Sequence, residues 1–227
     1  FDGSDSDVTD YRRELDLLHG VSRVSFTKDG KKIVPETFAS YPDRVIVSKH
    51  TGCHSAAVRY SRRDIHPTHR YDGDRCMIDT EAGELVGVES LTINGNVMTV
   101  KAHPATGGHP FTVKISVTTD GKLTSDGKSF RIENASATEY RIAIQTGGEP
   151  VIPDDDYETL KKRSGDDFAS QMGKSDITFD DTFADMPANR RLERLRNDPD
   201  ARDAGLTALY FRFGKYLLVA SSRPGSL

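Results

Sequence analysis

From Tyr11 to Gln145 apolar and polar residues alternate in short runs separated by turn residues, the period-two signature of β-strands. Glu14–Leu17 alternates, and Val21–Phe26 is a clearer strand. Asp29-Gly30 then supplies a tight hairpin turn, Ile33–Ala39 returns, Tyr41–Arg44 turns again, and Arg44–Lys49 is a third strand. These three predict an antiparallel meander. Ala56–Tyr60 is a further candidate, and the Arg/His/Asp-rich run Ser61–Arg75 reads as a loop. The rhythm resumes at Cys76–Asp79, Gly87–Ile93 and Asn96–Ala102, with Asn94-Gly95 as a hairpin signal between the last two. Phe111–Val117 places Phe111, Val113, Ile115 and Val117 on one face. Asp120-Gly121 turns the chain into Lys128–Glu133 and Glu139–Gln145. About ten short strands at this spacing predict an antiparallel β-sandwich rather than alternating strands and helices.

After Gly147-Gly148 the period changes. Pro150–Asp156 is a break rich in Pro and Asp. Asp156–Gln171 is expected to be helical, Ile177–Phe179 to be a short strand, and Met186–Arg196 to be a charged helix. The last helix is the most apolar, with Leu206, Leu209, Phe213, Leu217 and Ala220 at helical spacing. Tyr210, Phe211, Tyr216, Leu218 and Val219 make the rest of it apolar too, so it is expected to be covered on most sides. No helix follows to cover it within these 227 residues. The chain is therefore expected to be a piece of a larger protein, cut where a helical domain begins.

Composition narrows the function classes. A net charge of -4 gives no electrostatic reason to expect nucleic acid or an anionic membrane as partner. No apolar run approaches the roughly 20 residues of a membrane span. Cys53 and Cys76 could pair in an exported protein, but two cysteines do not make a disulfide framework. The compartment stays open, with an extracellular or periplasmic location favoured over a cytoplasmic one.

Four stretches carry a family resemblance: Val8–Leu17 (VTDYRRELDL), Glu36–Val47 (ETFASYPDRVIV), Asn189–Arg196 (NRRLERLR) and Leu209–Leu227 (LYFRFGKYLLVASSRPGSL). In content and order they resemble glycoside hydrolase family 95, the inverting α-L-fucosidases and their relatives. The resemblance implies a mainly β chain: a β-sandwich over 1–150, a helical linker over 151–204, and over 205–227 the first helix of an (α/α)6 catalytic barrel. It also implies that the general acid and the group activating water lie in the barrel beyond Leu227, so no catalytic residue carries over onto this sequence. The implied partners are that downstream barrel and a glycan bearing terminal L-fucosyl or L-galactosyl groups. The segment from His50 to Arg75 departs from the family pattern.

The residues themselves offer little chemistry of their own. Inverting hydrolysis needs two carboxyls roughly 6.5–9.5 Å apart, one with a raised pKa. The carboxylates here, including Asp154, Asp155 and Asp156, sit in polar turn contexts without apolar neighbours to raise them. His66 and His69 have a spacing seen at metal sites, with Cys53, His54 and Cys76 as further candidate ligands, but Pro67 forbids a regular helix between them. No metal or cofactor is expected. His19, His103 and His109 read as turn histidines, with an approach to sugar at a domain interface as the alternative. Gly107-Gly108 and Gly147-Gly148 read as turns rather than phosphate cradles. The rival to an enzyme fragment is a non-catalytic carbohydrate-binding or adhesion sandwich, and the absence of Trp weighs against it.

Overall fold

The computed structural model describes residues 8–61, 69–72, 75–78, 87–104, 108–198 and 200–223, with 69–72, 75–78 and Cys53 described by backbone alone. Three strands come first: β1 (Val8–Asp16), β2 (Val21–Lys28) and β3 (Lys31–Ser40). The Asp29-Gly30 turn joins β2 to β3 with φ of 52° and 70°, the left-handed pair that a two-residue hairpin with native twist requires. Two long strands follow, β4 (Val45–Arg59) and β11 (Ser129–Thr146), with β5 (His69–Asp72), β6 (Arg75–Ile78), β7 (Val88–Asn94), β8 (Val97–Ala102), β9 (Phe111–Thr119) and β10 (Lys122–Ser125) between them. Nine strands form one antiparallel sheet in the order β1-β2-β3-β4-β11-β9-β8-β7, with β10 on the free flank of β11. β5 and β6 pair only with each other, inside and beside a run that sequence alone reads as loop.

Where the sequence suggests separate strands at 44–49 and 56–60, and at 128–133 and 139–145, the chain runs straight through. The interruptions are bends. Register shifts fall between Ile132 and Ala137 of β11, opposite Gly52 of β4 with its φ of 101°. A Cβ at Gly52 would lie 2.0 Å from the Lys32 carbonyl oxygen, so only glycine fits. Beyond the bend, the first limb of β11 and the end of β4 close over β8 and β9. Phe130, Ile132 and Ala135 pack on Met98, Val100, Val113, Ile115 and Val117, giving the sandwich its core. Each fully buried residue of this kind contributes about 1.5–3 kcal/mol through the water it sheds. The β7–β8 loop falls at Gly95-Asn96, one residue later than the Asn94-Gly95 pair suggests, because Asn94 and Val97 face each other in the ladder. Asn96 then ties the hairpin to β9, donating from Nδ2 to the Val117 carbonyl at 3.1 Å.

The bend also holds a buried polar chain. His54 Nε2 lies 3.0 Å from Thr138 Oγ1, which lies 2.9 Å from Thr119 Oγ1. His50 stacks edge-on against Tyr140 at 4.9 Å. Burial, helped by the neighbouring His54, pushes the His50 pKa down to about 4.

Three helices follow: α1 (Tyr157–Met172), α2 (Ala188–Asn197) and α3 (Ala204–Ser221). Asp156 caps α1 by accepting from the Thr159 amide at 2.9 Å. α1 then lays Tyr157 and Leu160 on Val21, Phe38, Val45 and Val47, a second core on the β2–β3–β4 part of the sheet. Ile177–Phe179 is not a strand, and the Ile177 carbonyl accepts from the Arg212 guanidinium.

Candidate functional site

The start of α3 is fixed by a buried charge cluster. Arg191 on α2 is 3% exposed and Asp203 1% exposed. The Arg191 guanidinium donates from Nε to Asp203 Oδ2 at 3.0 Å and from Nη2 to Asp181 Oδ1 at 2.8 Å. Asp203 also caps α3, accepting from the Leu206 amide at 2.8 Å. Its hydrogen bond from Arg191, against the opposing effect of burial, holds its pKa down at about 2. A Cβ at Gly205 would collide with the Asp181 carboxyl, so the helix can approach this closely only with glycine there.

Farther along, α3 is held by polar side chains reaching back to the chain before α2. Arg212 grips Asp176 with two 2.8 Å bonds. Lys215 donates to the carbonyls of Met172 and Ser175, and Arg223 to Asp167 at 2.8 Å. The inward face of α3 is thus Gly205, Ala208, Arg212, Lys215 and Tyr216. Five of its large apolar residues are exposed: Tyr210 at 77%, Leu218 at 68%, and Phe211, Phe213 and Leu217. The expectation that this helix is covered on most sides is not met by the described residues. Between α3, α2 and β1 runs an apolar groove of about 1060 Å³, lined by Leu15, Leu17, Leu192, Leu206, Leu209 and Phe213 among others. Exposed apolar patches on soluble proteins often mark contact surfaces.

The other candidates scatter. Asp156 is the α1 cap and Asp155 pairs with Arg163 at 3.2 Å. His19 sits in the β1–β2 turn against Asp16, and His103 contacts the Pro104 carbonyl at 3.0 Å. His54 is buried at the sheet bend, its ring against the Gly52 carbonyl and Thr138, whereas the backbones of His69 and Cys76 belong to a separate two-stranded sheet. His66 and the side chains of His69, Cys53 and Cys76 lie outside the described residues. Among the described residues no group of three His, Cys, Asp or Glu could hold a metal ion. Sequence reasoning missed Arg191, which it counted only as part of a charged helix. The available signal was an arginine on α2 with aspartates at 181 and 203, on either side of that helix.

Comparison with known proteins fits this layout. The glycosyl hydrolase family 65 N-terminal domain matches residues 2–149. The chain belongs to that family. Residues 156–227, the three helices and their connections, match the glycosyl hydrolase family 95 catalytic domain. The resemblance read from the sequence is therefore upheld, with the sandwich matching a family 65 domain. A curated relative, Alpha-L-fucosidase 2 of Arabidopsis thaliana, is 24% identical over 266 residues, covering 100% of this chain and 31% of its own length. This chain thus spans about a third of that relative. The fold matches a putative kojibiose phosphorylase from human microbiome, with TM-score 0.53 and 14% identity over 81% of this chain and 27% of the other. The mainly antiparallel architecture with a helical end is what the sequence implies.

Proposed function

We propose that this family 65/95-like chain is the N-terminal part of an enzyme that releases terminal α-L-fucosyl or L-galactosyl groups from glycans with inversion, the reacting groups being supplied by the rest of the catalytic domain. The observation that carries the reading is the outward apolar face of α3 within the stretch that matches a family 95 catalytic domain. The role of the chain itself is then architectural. The sandwich carries α1, the Arg191–Asp203 cluster fixes the entry angle of α3, and the groove beside it receives the remaining helices of the (α/α)6 barrel. The similarity to an α-L-fucosidase supports the choice of sugar.

The test is an assay of the 227-residue chain, and of the same chain continued through a family 95 catalytic domain, against an aryl α-L-fucoside and its L-galactoside counterpart. The continued chain should hydrolyse one or both, with the β-anomer appearing first by NMR. The short chain should show no turnover. Hydrolysis by the short chain, or α-anomer as first product, would overturn the proposal.

A further inference from the structure

A second concavity, about 650 Å³, lies beside α1 at the β1–β2–β3 end of the sheet, lined mainly by polar groups. On one wall Asp16 Oδ2 is 2.7 Å from His19 Nδ1, which orients the imidazole and leaves Nε2 without a hydrogen-bond partner among the described residues. On the other wall Glu36 Oε1 accepts from Tyr157 at 2.6 Å and from Lys161 at 2.5 Å, leaving Oε2 open. Burial raises the Glu36 pKa, but these bonds outweigh it and the carboxyl stays ionised. Arg23 and Glu158 also line the space and make no hydrogen bond among the described residues. Gly165 of α1 stands opposite His19, where a Cβ would approach the histidine Cβ to 3.5 Å.

The chemistry of these groups selects a ligand class. The groups that can still bond are the acceptors Glu36 Oε2 and Glu158, the donor Arg23, the N–H bonds of Lys161 not given to Glu36, and His19 Nε2. Most of the lining charges are paired, Asp16 with His19, Glu36 with Lys161, Asp166 with Lys162 and Glu14 with Arg12. That leaves Arg23 and Glu158 to offset each other, so neither an anion nor a cation meets a one-signed wall. A hydroxyl group donates and accepts at once, so it can satisfy both kinds of partner. The volume lies within the range of ordinary small-molecule pockets. We infer that this cleft binds a neutral polyhydroxylated molecule of monosaccharide size, through His19, Arg23 and Glu36. The inference does not depend on which bond the proposed enzyme cleaves.

The test is an NMR titration of the 15N-labelled 227-residue chain with L-fucose, D-glucose and glycerol to about 100 mM, the weak range expected for a shallow polar site. At least one of the two sugars should give saturable shifts confined to residues around 16–23, 36 and 158–165. R23A and H19A should each weaken binding about tenfold, the loss of one charge-assisted or well-placed hydrogen bond. R59A, in a different groove, should leave it unchanged. H19A keeps the turn intact, because the Asp16 carboxylate still accepts from the Leu18 and His19 amides. Inorganic phosphate and spermidine serve as anionic and cationic competitors. No saturable shift, sugar binding untouched by both variants, or stronger binding of phosphate or spermidine would overturn the inference.

Discussion

Replacing Arg191 with Met removes the buried cation that lies between Asp181 and Asp203. Met matches much of the arginine stem, so the loss is chiefly electrostatic. In the wild type Asp203 receives bonds from Arg191 Nε and Nη2 and from Arg194 Nη2, the last at 3.4 Å. After R191M the carboxylate, 1% exposed, keeps the Leu206 amide but only that long Arg194 contact to a positive charge. Removing one partner of a buried pair costs about 3–5 kcal/mol because the other is left uncompensated. For a chain of this size each kcal/mol lowers the melting midpoint by about 2–4 °C, so a drop of about 6–20 °C is expected. The chain has no Trp, so circular dichroism at a helix-sensitive wavelength is the natural readout. The double variant R191M/D203N should recover much of the loss, since Asn still caps α3 but carries no charge to strand. If R191M melts within about 1 kcal/mol of wild type, or the double variant is no better than the single, the electrostatic account of this cluster is wrong.

Two further predictions concern the sandwich. His50 has a folded pKa near 4 against an ordinary value of 6.5, so in this window the unfolded chain binds a proton that the native chain does not. Stability should therefore fall as pH drops from about 6.5 toward 4, by up to about 2 kcal/mol after discounting for partial solvent contact. H50F, which keeps a ring against Tyr140, should flatten the decline in a urea titration repeated at several pH values; an unchanged slope would exonerate His50. G52A should destabilise by about 1–3 kcal/mol from backbone strain alone, with the clash against Lys32 in addition. Wild-type stability of G52A in the same titration would mean that the bend is not pinned there.

The turns were legible in the sequence because their chemistry is local. Asp29-Gly30 names its own conformation, and the strands on either side follow by alternation. The bends were not, because β4 and β11 are each broken by contacts made from outside: Gly52 is dictated by a carbonyl of β3, and the slip near Ala135 by the need to cover Met98 and Val100. The apolar stripe of α3, and the lack of anything later in the sequence to bury it, were legible from periodicity. The anchoring of the opposite side was not, because Arg212 and Lys215 hold it through charge and carbonyl contacts that carry no periodic signal. The polar cleft at Asp16–His19 drew no attention either, since its members come from β1, β2, β3 and α1 and share no spacing.

The central claim is that the outward face of α3 is a surface completed by the rest of a family 95 catalytic domain. Hydrogen–deuterium exchange across residues 204–221, in this chain and in the chain continued through that domain, tests it most directly. Slow exchange in the longer chain, at least about tenfold slower than in the shorter one, is the predicted result. Equal exchange in both, with α3 as open in the long chain as in the short, would contradict the account.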